Sequence, residues 1–351
     1  MHAEYLMSSK NENFSAAVSL QFFGAAHAEL KLNAGTSECP FNRYQLKYTS
    51  DSPLRGKFYY KNHNGDTVFE EFYLEAAKSE AVFSSFTDGY LASEKALFPE
   101  KIELFNTGSR LCHAAISSFS TEDSEVLAEN IVYIENEFLK AGAMLSFGGG
   151  LSYIKYKKGA PDGIENLLNY YDTGRLVQQS YYGTAEAPYN RATYNGCKWS
   201  YNPVQGGDQY NNKSKLIDYK IGKESMYVKC RPLDWAQKGL NTMSYMENTY
   251  SLNGKCLRVD NRFIDFSPYR HALHSHQELP AFYTLSAFGK FTYYNGLAPW
   301  TYDELISERD LKFWGGNPDA YFHINPGNTE TWCAFTDDKE ETGDFGIGLY
   351  V

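Results

Sequence analysis

The sequence predicts a mostly β protein: an N-terminal antiparallel sandwich over residues 1–125, followed by a larger β domain over 126–351. Three observations predict it. Aromatic residues make up 16% of the 351 residues, with 29 Tyr and 23 Phe against 5 Trp, and Tyr and Phe favour strands. Short strand-like runs recur along both halves. Turn signals such as Asn64-Gly65, Asp88-Gly89 and Asn253-Gly254 separate them.

In the first half the runs fall at 16–23, 42–50, 56–62, 67–76 and 111–120, a spacing that suits a sandwich. No catalytic constellation is visible there. The polar, acidic stretch Thr121–Glu125 reads as a linker. Residues 127–142 alternate and turn at Glu135-Asn136, which predicts strands rather than a helix. Two runs within 143–159 meet at Gly148-Gly149-Gly150, where glycine permits a sharp bend or a close backbone approach. These glycines do not match a nucleotide-binding loop. Further strands or hairpins are expected at 215–222, 225–233, 250–266 and 289–296. Residues 301–314 are the best helix candidate.

The composition narrows the function classes. A formal net charge of -10 argues against nucleic acid and against an anionic membrane surface, since both reward Lys and Arg. No run of about 18 apolar residues exists, so no membrane-inserted helix is expected. No signal peptide is visible at the N-terminus. The six cysteines form no CxxC pair, so zinc is not expected, and a disulfide framework is open but not indicated. Asn13 and Asn212 head N-x-S triplets, which matter only on a eukaryotic secretory route. The aromatic excess reads either as strand content or as a surface for sugar rings, to which Tyr and Trp offer a flat apolar face and a polar edge.

Four segments concentrate polar residues that strands do not need. The first, 166–184, holds Asp172, Arg175, Gln179 and Tyr182. An Arg fork beside Gly174 can grip a carboxylate or vicinal hydroxyls, or simply pair with Asp172. The second, 196–214, offers Trp199 for stacking and Asn202, Gln205 and Asp208 as hydroxyl readers on a Pro/Gly-shaped loop; the alternative is a structured surface loop. The third, 266–284, contains His271, His274 and His276, then Glu278 and Tyr283. On a strand His274, His276 and Glu278 share one face, a set suited to acid–base work and awkward for a tetrahedral metal ion. A hydrogen-bonded structural cluster is the alternative. The fourth places Glu330 two positions from Trp332. Glycoside cleavage commonly needs two carboxyl groups flanking the bond, and Glu278 with Glu330 is the pair expected here, assisted by His276. No cofactor or metal is expected.

The runs YDTGRLVQQSYYG, WSYNPVQGGD, HQELPAFYT, TYYNG, TETWCAF and DFGIGLYV resemble a group of bacterial proteins in which a small β-sandwich precedes a galactose-mutarotase-like β-supersandwich. The resemblance covers residues 126–351 well and the first domain more loosely. It implies a carbohydrate-active protein, working outside the cytoplasm, with a poly- or oligosaccharide as partner. In mutarotases a His and a late-chain Glu act as acid and base, and His276 and Glu330 are the nearest equivalents by role, though the motif around the family's His is absent here. The last residues read as the middle of a strand, so a truncated final domain is also an expectation. The leading functional expectation is a glycoside hydrolase. The alternatives are a lyase on a uronic-acid polymer, using Arg175, Gln179 and His276 or Tyr283, and a non-catalytic glycan-binding or structural protein.

Overall fold

The computed structural model describes residues 2–7, 14–22, 27–34, 43–61, 66–76, 80–84, 98–122, 131–169, 176–184, 193–270, 277–309, 327–339 and 345–351. The protein is nearly all β, with several antiparallel sheets and one short 3-10 turn, Leu145–Phe147.

Residues up to 122 form two sheets. The five-stranded one runs His2–Met7, His27–Ala34, Phe98–Asn106, Leu54–Lys61, Thr67–Leu74. The four-stranded one runs Phe14–Phe22, Cys112–Glu122, Arg43–Ser50, Glu80–Ser84. All these pairings are antiparallel except that of His2–Met7 with His27–Ala34. Leu54–Lys61 shows why: Leu54, Gly56, Phe58 and Tyr60 are buried, and the residues between them are not. Leu20, Phe22, Leu46 and Tyr48 meet Leu30, Phe58, Ile102 and Leu104 in the core. Each such side chain contributes roughly 1.5–3 kcal/mol on burial.

No sheet mixes these strands with those after residue 131. In the second half the central sheet runs Ile131–Glu135, Leu139–Met144, Gly150–Tyr156, Val177–Ser180, Pro203–Val204, Leu233–Asp234. Along one edge of Val177–Ser180 the partners are Leu151 and then Val204; along the other lies Glu278–Phe282. The predicted turn at Glu135-Asn136 falls between the first two of these strands. Facing this sheet is the meander Lys215–Ile221, Ser225–Arg231, Ser244–Asn253, Cys256–Asp265, whose last hairpin turns at Asn253-Gly254 as expected. Leu139, Leu151, Ile154 and Val177 pack against Leu216, Met226, Val228 and Tyr250. The triple glycine sits in close contact with the facing meander. Gly148 and Gly149 have φ of 62° and 77°, and a Cβ on Gly149 would lie 2.6 Å from the Val228 Cβ.

The final sheet is Leu305–Glu308, Lys290–Tyr294, Trp332–Thr336, Gly346–Tyr350, and one end of it, at Phe335, Phe345 and Ile347, packs on the second core. Here the structure departs from the sequence reading. Residues 301–304 are a turn and Leu305–Glu308 is a strand, not the start of a helix; 310–326 lie outside the described residues. Apolar spacing alone did not separate the two, and the positive φ of Trp300 (64°) and Tyr302 (59°) is incompatible with a helix.

The halves meet through charge. Lys215 pairs with Glu70, the Arg231 Nη1 donates to the Glu71 carbonyl at 2.5 Å, and the Arg262 fork holds Glu75 at 2.7 and 2.9 Å. Tyr73 stacks on Phe266 at 5.6 Å, and its backbone N–H donates to the Tyr245 hydroxyl.

Candidate functional site

The strand Val177–Ser180 delivers Tyr181 and Tyr182 past the end of the central sheet. There the ladder is continued by a side chain. The Gln277 amide accepts from the Tyr182 N–H at 2.7 Å and donates to the Tyr182 carbonyl at 3.0 Å, imitating one more residue of strand pairing. This fixes Tyr182 beside the next residue, Glu278, whose Oε1 accepts the Tyr182 hydroxyl at 3.1 Å. The Tyr182 ring meets Trp199 edge-on at 6.2 Å, Trp199 meets Tyr194 edge-on at 5.0 Å, and Tyr194 lies 6.3 Å from Trp235. Glu278 is exposed, Tyr182 and Trp199 are half-buried, and Tyr283 is exposed. Burial, then the Glu278 charge, pushes the Tyr182 phenol far above its ordinary range. It therefore stays protonated and acts as a donor to Glu278.

Behind this rim lies a buried frame of amides. Gln179 donates from Nε2 to the Glu247 carbonyl (2.9 Å) and to Asn248 Oδ1 (3.0 Å), while its N–H donates to Gln205 Oε1. Gln205 donates to the Gly148 carbonyl at 3.0 Å. Asn202 donates to Ser180 Oγ and to the Tyr181 carbonyl, and its Oδ1 accepts the Trp199 indole N–H at 3.3 Å. Asp208 accepts four donors: the N–H groups of Tyr210, Asn212 and Gly239, and the Asn212 amide. All four side chains are buried, with exposures of 0% or 1%. Gln179, Asn202, Gln205 and Asp208 thus hold the loop and the strands together, in place of the sugar-reading role the sequence suggested. A Pro/Gly-rich polar loop reads as surface, but residues 201–208 of this one are buried. The Asn212 amide, head of an N-x-S triplet, is likewise engaged.

Sequence reasoning missed Asp234. It is fully buried, and its Oδ2 accepts the Asn202 N–H at 3.1 Å. Its Oδ1 has no hydrogen-bond partner among the described residues, although the Gln237 amide stands close by. Burial raises its pKa to about 6. Tyr194, Trp235 and Gln277 were missed too. Tyr194 carried a readable signal: Asn195-Gly196, with φ of 48° and 76°, is a tight hairpin turn that sets Tyr194 opposite Cys197.

The remaining candidates separate. Trp332 opens a strand of the C-terminal sheet and Glu330 lies in the segment just before it, whereas Glu278 opens a strand of the central sheet. Glu330 is buried, and both its oxygens are taken, by the Trp300 N–H at 2.6 Å and the Trp332 indole N–H at 2.7 Å. A carboxylate so engaged braces the turn that carries Trp300. Asp172, Arg175, His274 and His276 lie outside the described residues. Among the described residues no three His, Cys, Asp or Glu side chains are grouped to hold a metal, and no helix is long and apolar enough to cross a membrane. Of the sequence-predicted set, the fold brings Tyr182, Trp199 and Glu278 together, with Tyr283 near enough to act on the Tyr182 phenol. Comparison of the chain with models of known families and with curated proteins gives no match.

Proposed function

We propose that the protein is carbohydrate-active and holds a saccharide across the rim formed by Tyr182, Trp199 and Tyr194, with Glu278 at its edge. One observation carries this reading: the exposed Glu278 carboxylate is fixed by a phenol that is itself part of an aromatic cluster. Ring faces take the apolar C–H side of a pyranose, and the carboxylate accepts from its hydroxyls. The buried amides support the reading indirectly, because Asn202 and Gln179 hold Trp199 and Tyr181 by their polar ends and pre-organise the rim. The resemblance to supersandwich proteins points the same way.

Hydrolysis assisted by Glu278 is the second reading, favoured by that carboxylate's exposure within the rim. Elimination from a uronate polymer has less support, since the buried Gln179 amide expected to help neutralise the carboxylate is taken by the Glu247 carbonyl and Asn248. The test is retardation of the protein in gels containing a panel of neutral and acidic polysaccharides, paired with reducing-end release. Trp199→Ala is expected to weaken binding about tenfold, and Glu278→Gln to abolish any release while retaining binding. Unchanged retardation of Trp199→Ala removes the rim as the binding site. Equal release by wild type and Glu278→Gln removes the hydrolytic role.

A further inference from the structure

At the end of the C-terminal sheet away from Phe335 and Phe345, the turn between Lys290–Tyr294 and Leu305–Glu308 holds Trp300 and Tyr302 in solvent, 85% and 79% exposed. Both have φ in the left-handed region, 64° and 59°, which bulky residues rarely adopt. Such strain persists only where surroundings over-determine it, and it gathers at sites of function.

The surroundings here do so. Glu330 grips the Trp300 N–H and ties it to the Trp332 indole. Asp303 accepts the Tyr294 hydroxyl at 2.6 Å and the Thr301 hydroxyl at 3.2 Å. Gly296 lets Asp303 approach, since a Cβ there would lie 2.5 Å from Asp303 Oδ1. The turn is thus built to present two rings that the fold itself does not bury.

We infer that the Trp300–Tyr302 turn is a second saccharide-contact site, selective for an uncharged sugar. Residues 291–308 and 327–338 contain no Lys, Arg or His, while Asp303, Glu304, Glu308 and Glu330 lie among them. From these described residues a uronate, sulfate or phosphate would meet like charge. A cationic peptide is disfavoured as well, because the Asp303 and Glu330 carboxylates already serve as internal acceptors. Ring faces remain as the main contact, and they fit the C–H face of a neutral pyranose. The ligand class rests on the carbohydrate reading above, but the site shares none of its residues.

The test uses gels containing hydroxyethylcellulose, xylan, galactomannan or polygalacturonate, with wild type, Trp199→Ala and the double variant Trp300→Gly/Tyr302→Gly. Glycine adopts positive φ freely, so the double variant removes both rings while relieving backbone strain. Its melting temperature is expected to stay level or rise, which separates lost binding from lost folding. The expected result is about tenfold weaker retardation in at least one neutral polymer, with none added or lost in polygalacturonate. Loss in Trp199→Ala alone overturns this proposal and leaves the first site standing. Loss in the double variant alone supports it and removes the first. No retardation of wild type by any neutral polymer overturns it. So does a wild-type dimer that the double variant dissociates in sedimentation, because the rings would then serve self-association.

Discussion

Between the sheets of the N-terminal sandwich the core is apolar: among the described residues only Ser50 and Asn106 are buried polar groups there, whereas the second half buries Gln178, Gln179, Asn202, Gln205, Asp208, Asp234, Asn248 and others. The first arrangement is what burial of alternating side chains produces with no further demand. The second requires each polar atom to find a partner, at a penalty of about 1–3 kcal/mol for each one missed. Proteins accept such frames where loop geometry matters more than stability. The frame lies directly behind the aromatic rim, so the contrast sets the half with the proposed site apart from the other.

The comparison can be broken at several points. Phe58→Ala, in the apolar core, is expected to lose about 3–5 kcal/mol in urea denaturation, with saccharide retardation unchanged below the transition. Altered binding in that variant would remove the division of labour. Asp208→Ala strands the N–H groups of Tyr210, Asn212 and Gly239, and about 2–3 kcal/mol of destabilisation is expected, accompanied by weaker binding as the loop loosens. An effect below about 0.5 kcal/mol, the size of an ordinary surface change, would mean the frame is not structural.

Asp234 sharpens the contrast through pH. Its folded pKa, about 6, lies above the ordinary 3.8, so the folded state binds its proton more tightly than the unfolded state does. Its contribution is fully present below about pH 4 and is lost as pH rises through 6, up to ~3 kcal/mol by linkage. Denaturation at pH 4.5 and 7.5 is expected to show this decline in wild type relative to Asp234→Asn; parallel pH profiles would contradict it. The smallest effect is at the junction. Glu75→Ala leaves a partly exposed Arg262 with Glu247 and is expected to cost about 0.5–1 kcal/mol, less at high salt.

Much of the strand framework was legible because burial leaves a period of two, as in Leu54–Lys61, and because Asn253-Gly254 and the Gly148–Gly149 bend have conformations few other residues take. The site was legible only in part. Tyr182, Trp199 and Glu278 were marked by residue type, but nothing local distinguishes an Asn that reads a sugar from one that, like Asn202, caps an indole and a strand end. That distinction depends on what packs above the loop. Nor does chain position tell that Glu330 is buried and engaged by two N–H groups while Glu278 is exposed. Residues 301–308 misled because two left-handed residues, Trp300 and Tyr302, are not glycines.

The junction of Lys215, Arg231 and Arg262 with Glu70, Glu71 and Glu75 has a consequence for reach. Halves joined only by a flexible tether sample many separations, and a long ligand bridging them is captured at an effective concentration set by tether length. Three ion pairs and the Tyr73–Phe266 stack remove that freedom. The surface of the first sandwich is therefore held at a fixed spacing from Trp199 rather than at one set by linker statistics.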